Sequence, residues 1–327
     1  MPSARPHAAP AREPTGALMA ISKTCRANIA LSLAAFFWGT TFIVQRQAMD
    51  NLSPMAYGGL RFTLGALALM PLALPRALKA LRGADAPAQL GLMWLSGAVI
   101  AGACIFIGVS LQQYGLIWTT AGKAGFITSL YVVLVPVILR FMGQKIVLGE
   151  AIGAVLALAG LYLLSFTGGP FGLSRGDALV LISTFVWAGH VLSVGWFAPR
   201  MDPVILGTGQ ALVCGLLSLA ATLILGEWPS LADFSAAWFD VLWGGLFSVT
   251  LGFTLQVIGQ KDAQPAPAAI ILQMESVVAL IAGWLILKEA MSGRMLTGAA
   301  IMLAGVLISQ LWPILAHRRS ADRGRLP

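Results

Sequence analysis

The chain has 327 residues, of which 58% are hydrophobic and only 10% are charged, and its mean hydropathy is +0.83. Soluble domains carry about 25% charged residues, so these values exclude a water-soluble enzyme. The net charge of +8 comes from short basic clusters between apolar runs, and this placement predicts no nucleic-acid partner. Because the apolar runs are long and continuous, they indicate membrane-spanning helices and not the alternating strands of a barrel.

The N-terminal segment is rich in proline and in basic residues, and it predicts a disordered basic tail over residues 1–26. The apolar run that follows is about 19 residues long, which suits a membrane span better than the core of a signal peptide. Because the composition changes near Met19, either Met1 or Met19 can be the true start. A second basic tail is predicted over residues 316–327.

Apolar runs of about 20 residues, the length of a membrane-crossing helix, predict ten spans. The first five cover residues 27–45, 55–74, 89–110, 120–139 and 147–166, and the second five cover residues 177–196, 203–225, 239–259, 266–287 and 295–315. An even number of spans puts both termini on one side, and most loop lysines and arginines fall on that side. The positive-inside rule therefore predicts cytoplasmic termini in a multi-pass protein of the bacterial inner (plasma) membrane.

The two sets of five spans repeat each other. Polar and aromatic residues recur at offsets of 149 or 144 residues, pairing Trp38 with Trp187, Arg61 with Gln210, and Gln112 with Gln256. Because each half has an odd number of spans, the second half must cross the membrane upside down relative to the first. The predicted fold is all-α and integral to the membrane, with ten helices in two inverted five-helix repeats over residues 27–166 and 177–315.

Four segments distributed over both halves carry a family resemblance: AAFFWGTTFIVQ, SPMAYGGLRF, AGKAGFITSLYVVLVP and LILKEAMSGRMLTGAAIMLAGVLIS. In these segments the chain resembles the drug/metabolite transporter superfamily, EamA type. The resemblance implies ten helices in two inverted repeats around a central substrate cavity. The motifs are specific for the family and carry little information about the substrate.

Four ionisable side chains fall within predicted spans, where a charge without a partner is costly. Glu275 lies roughly 13 Å along the ninth span by helical rise, near the centre of the bilayer. It is predicted either to carry a proton or contact substrate, or to hydrogen-bond a neighbouring helix. His190 shares a helix face with Trp187 and has the same two interpretations.

The other two ionisable side chains lie closer to the ends of their spans. Lys123, near the start of the fourth span, is predicted to contact an anionic group at the cavity mouth or to extend to the membrane surface. Arg61 lies about 9 Å into the second span, so its guanidinium is expected to reach the outer surface by snorkelling, and it is kept as a candidate substrate contact.

Uncharged residues complete the candidate site. The repeat pairs His190 with Thr41 and Glu275 with Tyr131. At these two positions the halves therefore carry different polar side chains. Pro136, Pro265 and Pro267 either bend the fourth and ninth spans or cap helix starts. The remaining candidates for substrate binding or coupling are Trp38, Thr41, Gln45, Gln112, Tyr131, Trp187, Gln210 and Gln256.

These features predict a secondary transporter that exports or exchanges a small polar metabolite, such as an amino acid or a related compound, by alternating access. Proton coupling through Glu275 is one option. The sequence has no nucleophile–base pair and no spacing typical of metal ligands, so no enzymatic activity, catalytic residue, metal or cofactor is predicted. A lipid translocator and a non-transporting membrane scaffold are the alternatives. The substrate, direction and oligomeric state are left open, and a monomer is compatible with the sequence.

Overall fold

A computed structural model of the protein describes residues 15–82, 90–119, 124, 127–165, 174–287 and 292–323. Within these residues every regular element is a helix. Eight helices are long and apolar enough to cross a membrane, and two shorter apolar helices, Ile127–Phe141 and Leu148–Leu163, bring the number to ten. The predicted all-α membrane fold of ten helices is therefore confirmed.

The first half contains five numbered helices: α1 (Thr15–Ala48), α2 (Pro54–Leu81), α3 (Leu90–Trp118), α4 (Tyr131–Phe141) and α5 (Leu148–Ser165). Local sequence signals set the start of α2. The Ser53 hydroxyl accepts a hydrogen bond from the Ala56 amide at 3.1 Å. Pro54 occupies the first helical position, where its missing N–H would have no partner in any case.

The second half contains α6 (Arg175–Phe197), a 3-10 turn (Ala198–Arg200), α7 (Pro203–Leu225), α8 (Leu231–Trp243), a π-helical segment (Gly244–Phe253), α9 (Thr254–Asp262), α10 (Pro265–Leu272), α11 (Glu275–Leu287) and α12 (Gly293–Arg323). The run from α8 to α9 is one continuous span, and α10 and α11 together form another. Ser174 and Asp177 close a capping box at the start of α6, and the Asp202 carboxylate caps α7.

The helices extend further toward both termini than predicted. Because α1 begins at Thr15, the prediction of a disordered tail is wrong for residues 15–26, while residues 1–14 lie outside the described part of the chain. Pro14 is the last proline of that segment, and the alanine, leucine and methionine that follow favour a helix. At the other end, α12 continues to Arg323 and includes much of the predicted basic tail.

Each of the main helix contacts between the two halves is matched by an equivalent contact in the repeat. Helix α5 packs on α12 and α2 packs on α7, and in each pair the two helices correspond in the repeat. Helix α3 packs on α6, while its counterpart, the α8–α9 span, packs on α1. This exchange of partners is the pattern expected when two repeats are related by a two-fold axis. That the second half is inverted in the membrane stays a prediction.

Helices α5 and α12 approach each other through glycines. A Cβ atom added at Gly160 would lie 2.4 Å from the Gly298 carbonyl oxygen, and one at Gly153 would lie 2.8 Å from the Gly305 carbonyl oxygen. Gly153 corresponds to Gly298 in the repeat, and Gly160 corresponds to Gly305. The contact is therefore reciprocal, as in a symmetric dimer interface, and it depends on the absence of side chains.

Two spans are interrupted at equivalent positions. The ninth span breaks at Gln273 and Met274, and the fourth has a turn just before α4, so that Glu275 and Tyr131 each begin a new helical segment. At both breaks, backbone amides bond to carbonyl oxygens three residues back, at 3.0–3.1 Å. The prolines do not mark the breaks, since Pro265 is the first residue of α10 and Pro136 lies inside α4.

A large apolar cluster lies between the halves. It is built from Phe62 of α2, Ile105 of α3, Cys214 of α7 and Phe253 of the π-helical segment, all of them buried. Trp38 of α1 and Trp187 of α6 pack against this cluster. The two indole rings are thereby held on a close-packed base, and the polar residues beside them line the site described next.

A candidate substrate cavity between the two halves

A cavity lies between the two halves of the molecule. Its volume is about 80 Å³, several times the ~10–15 Å³ that one water molecule needs. Ten of the twelve candidate residues predicted from the sequence line it, namely Trp38, Thr41, Gln45, Arg61, Gln112, Tyr131, Trp187, His190, Gln256 and Glu275. The fold thus brings together polar side chains from both halves.

Two candidates do not line the cavity. Gln210 is fully buried behind the wall, where its Oε1 lies 3.1 Å from His190 Nε2. Lys123 lies outside the described residues. Their predicted contacts with substrate therefore stay predictions, and the Gln210 contact would have to act through His190.

Seven further residues line the cavity and were not among the candidates: Phe42, Val109, Thr128, Val191, Ser248, Phe253 and Leu272. Five of them are apolar, and composition alone cannot distinguish an apolar residue at a cavity from one that faces lipid. Thr128 could have been found from its polarity, and its hydroxyl oxygen accepts a hydrogen bond from Gln112 Nε2 at 3.1 Å.

Helix α1 presents one face to the cavity. Trp38, Thr41 and Gln45 follow the spacing of a single helix face. The Trp38 indole N–H donates to the Ser248 carbonyl oxygen at 3.2 Å, which fixes the ring against the π-helical segment. The buried Gln45 Nε2 has no hydrogen-bond partner among the described residues, so its N–H groups are available to a polar molecule in the cavity.

Arg61 is buried, with 4% of its surface exposed. Its guanidinium carbon lies 4.8 Å from the ring centre of Tyr57 and 4.9 Å from that of Phe62. The expectation that Arg61 snorkels to the outer surface is therefore wrong, because these aromatic contacts hold the cation within the molecule. Within the described part of the chain, no carboxylate lies within ion-pair distance of the guanidinium, and its Nε has no hydrogen-bond partner.

Glu275 is the first residue of α11 and is 8% exposed. Its carboxyl group lines the cavity, and among the described residues no hydrogen bond or ion pair to it is found. The hydrogen bond to a neighbouring helix that one interpretation of the sequence required is thus not seen there. A Cβ atom at Gly39 would lie 2.6 Å from the Glu275 carbonyl oxygen, so α1 packs directly against the break that positions this carboxyl group.

His190 makes the interhelical contact that one interpretation of the sequence required, and its role in coupling or substrate binding stays a prediction. It lines the cavity, and its Nε2 lies 3.1 Å from Gln210 Oε1 on α7. The imidazole meets the rings of Trp187 and Phe253 edge-on, each with a centroid separation of 5.8 Å. These neighbours fix the plane of the imidazole and the position of its edge at the cavity wall.

The two helix breaks contact each other beside the cavity. Gln273 Nε2 donates to the Ser129 carbonyl oxygen at 3.0 Å, and these two residues correspond in the repeat at an offset of 144. The Ser129 and Ser276 hydroxyl oxygens lie 3.4 Å apart. Tyr131 and Glu275, which follow the two breaks, are thereby held at related positions on the cavity wall. Among the described residues, no group of three or more His, Cys, Asp or Glu residues could hold a metal ion.

Comparison with protein families gives two matches to the EamA-like transporter family, over residues 26–166 and 174–311. The chain belongs to this family. As an EamA-like transporter it is a multi-pass integral membrane protein with a transport function. The two matches divide the chain close to the boundary between the two predicted repeats.

Several curated relatives match this EamA-like transporter over most of its length. A protein named "Uncharacterized transporter" from Archaeoglobus fulgidus is 29% identical over 88% of this chain and 87% of its own. The "Uncharacterized inner membrane transporter YedA" of Escherichia coli is 26% identical over 85% of this chain and 87% of its own. A protein of known crystal structure matches with a TM-score of 0.73 at 21% identity, over 89% of this chain and 98% of that chain, which supports the fold alone.

Proposed function

We propose that this protein is a secondary transporter that moves a small polar metabolite across the membrane by alternating access. The cavity between the two halves is its substrate site. One observation carries the proposal. In this member of a transporter family, the side chains of Arg61 and Glu275, which can bear opposite charges, are buried and line one cavity without forming an ion pair with each other. Such groups are costly in a membrane unless a ligand or water contacts them.

The substrate class follows from the chemistry of the cavity wall. The Arg61 guanidinium matches a carboxylate, to which it can donate two parallel hydrogen bonds. When ionised, Glu275 matches an ammonium group, and the rings of Trp38, Trp187 and Phe253 match an apolar portion. An amino acid or a related compound carries these groups together, and we propose this class as the substrate.

Glu275 is the proposed site of proton coupling. Its carboxyl group can bind either a proton or a cationic group of the substrate, but not both at once. Competition between the two at one site links substrate release to proton binding. Because protons and substrate compete for one site, an inward flow of protons would drive the substrate outward, so the proposed direction is export from the cytoplasm or exchange across the membrane.

The alternatives differ from this proposal in what they require of the cavity. A membrane scaffold needs no polar cavity, whereas this one is lined by Arg61, His190, Glu275 and several glutamines. A lipid translocator needs a path for acyl chains beside its polar groups. The buried ionisable groups at the cavity therefore favour a polar substrate over a scaffold, and the transport test described next distinguishes a metabolite from a lipid.

The test is transport by the purified protein in proteoliposomes, with a pH gradient and a panel of labelled amino acids and polar metabolites. Glu275→Gln should abolish accumulation driven by the pH gradient, because an amide cannot release a proton. Gradient-independent exchange of the same substrate should persist only at higher substrate concentrations, because an uncharged amide binds an ammonium group more weakly than a carboxylate does. The matched control is Glu150→Gln, the same chemical change in the first turn of α5 and outside the cavity lining. The control should accumulate substrate as the wild type does.

Two results would contradict parts of the proposal in different ways. If Glu275→Gln accumulates substrate with the pH gradient as well as the wild type, then proton coupling does not run through this residue. If wild-type protein transports no compound of the panel but moves labelled phospholipid between leaflets, then the lipid translocator replaces the metabolite carrier.

A further inference from the structure

A second pocket, which takes no part in the proposed transport site, lies at one end of the helices. Its volume is about 440 Å³. It lies where α2 and α9 end and where α3 and α7 begin, so both halves of the chain contribute to it. The loop charges predict that this end faces the cytoplasm.

The charges in the lining are unbalanced. Arg76, Arg200 and Lys261 line the pocket, and Asp202 is the acidic residue beside them among the described residues. Asp202 Oδ1 already accepts hydrogen bonds from two backbone amides at the start of α7, at 2.8 and 3.2 Å. Arg76 approaches the same oxygen only to 3.7 Å, and both side chains are more than one-third exposed. This ion pair is therefore weak, and three cations share one carboxylate that is already engaged.

Aromatic contacts orient one of these cations. The Arg200 guanidinium carbon lies 4.3 Å from the ring centre of Trp196, and its Nη1 donates to the Trp196 carbonyl oxygen. Trp94 forms part of the pocket wall. Tryptophan is enriched where the headgroups of a bilayer meet its hydrocarbon core, so these rings indicate that the pocket lies at headgroup depth.

The surface next to the pocket is apolar and exposed. Leu78 of α2, Leu92 and Leu95 of α3, and Trp196 of α6 all expose 40% or more of their surface. In a bilayer, such side chains contact acyl chains. A molecule bound in the pocket would therefore place a polar group among the cations and could extend an apolar portion over this surface.

We propose that this pocket binds the phosphate group of an anionic phospholipid. Arginine and lysine are the side chains that bind phosphate most strongly, and basic pockets between membrane helices bind anionic headgroups. The adjacent apolar surface favours a lipid over free phosphate as the source of the group. Bound there, the lipid bridges α2 and α3 of the first half to α7 and α9 of the second. The inference does not depend on the proposed transport function.

The test is native mass spectrometry of the full-length protein in detergent, titrated with phosphatidylglycerol, with phosphatidylcholine or with inorganic phosphate. The pocket variant is Arg76→Gln with Lys261→Gln. The matched control is Lys79→Gln with Arg82→Gln, which removes two charges from exposed positions at the same end of α2 but outside the pocket lining. At about fivefold per cation removed, the pocket variant should bind its first phosphatidylglycerol about 25-fold more weakly, while the control changes by less than about twofold.

Each outcome decides a specific point. Equal losses in the two double variants, or equal wild-type affinity for phosphatidylglycerol and phosphatidylcholine, would overturn the proposal, because binding would then follow overall charge or hydrophobicity. Displacement of phosphatidylglycerol from the wild type by inorganic phosphate would support a phosphate site. It would overturn the lipid as the source of that phosphate, and free phosphate would then be the ligand. If the double variant does not fold, Lys261→Gln alone, with its exposed side chain, should still show the fivefold loss expected of one cation.

Discussion

Arg61 and Gln210 occupy equivalent positions in the two halves, yet they face different surroundings. Arg61 lies against the rings of Tyr57 and Phe62 and lines the cavity. Gln210 is completely buried and hydrogen-bonds His190. One position of the ancestral repeat thus supplies a cation in the first half and a support for another side chain in the second. The sequence identified both residues as polar groups within spans, but it could not show which way each side chain points.

We expect Arg61→Gln to raise the KM for a carboxylate substrate by roughly tenfold to a hundredfold, because a hydrogen bond to a charged group contributes about 1.5–3 kcal/mol. Arg61→Lys should lose less, since it keeps the charge but not the planar stacking on Tyr57 and Phe62. The measurement is initial uptake rate against substrate concentration in proteoliposomes.

The control for this prediction is Arg82→Gln, which removes the same charge at the exposed C-terminal end of α2. An unchanged KM for Arg61→Gln, with the protein still folded, would show that the guanidinium does not contact the substrate.

At the scale of helices, the glycine contact between α5 and α12 is the one most sensitive to side-chain size. Gly160→Ala would place a methyl group 2.4 Å from the Gly298 carbonyl oxygen, so the two helices would have to separate. We expect a loss of about 1–3 kcal/mol in the free energy of unfolding, measured as a lower thermal unfolding temperature in detergent.

Gly91→Ala is the matched control for this change, since the added methyl group on α3 would meet nothing within 4 Å. That substitution should leave stability unchanged or raise it by up to about 1 kcal/mol, because alanine favours a helix over glycine. Equal effects of the two substitutions would contradict a close-packed contact at Gly160.

The helices themselves were predictable from apolar run length, and the cavity face of α1 was predictable from the spacing of Trp38, Thr41 and Gln45. The interruptions were not. The break at Gln273 and Met274 contains neither glycine nor proline, and the nearby prolines serve as a helix start and a mid-helix residue. The π-helical segment Gly244–Phe253 contains three glycines, but so does α2, which is an α-helix throughout. Tertiary packing determines such features, so single-sequence patterns do not reveal them.

At the scale of the whole molecule, the predicted orientation can be tested through native and introduced thiols. Cys25 is exposed near the start of the first apolar span, which begins at Lys23 within α1, and Asn51 is exposed in the turn between α1 and α2. If the N-terminus is cytoplasmic, a membrane-impermeant maleimide should label Cys25 in inside-out vesicles and not in intact cells. Asn51→Cys, combined with Cys25→Ser, should show the opposite pattern.

The other native cysteines should react little with the maleimide, because Cys214 is buried and Cys104 lies in the middle of α3. Labelling of Cys25 from outside intact cells, with Asn51→Cys reactive only in inside-out vesicles, would reverse the predicted topology.

The reciprocal glycine contact between α5 and α12 has a consequence for the origin of the chain. An interface in which Gly153 meets Gly305 while Gly160 meets Gly298 can be built by two copies of one half-length polypeptide. In such a homodimer, every substitution would appear twice at the shared cavity. In a single chain each position can differ between the halves, so the cavity carries one Arg61, with Gln210 as its counterpart, and one Glu275, with Tyr131 as its counterpart. Identical subunits would carry each of these residues twice.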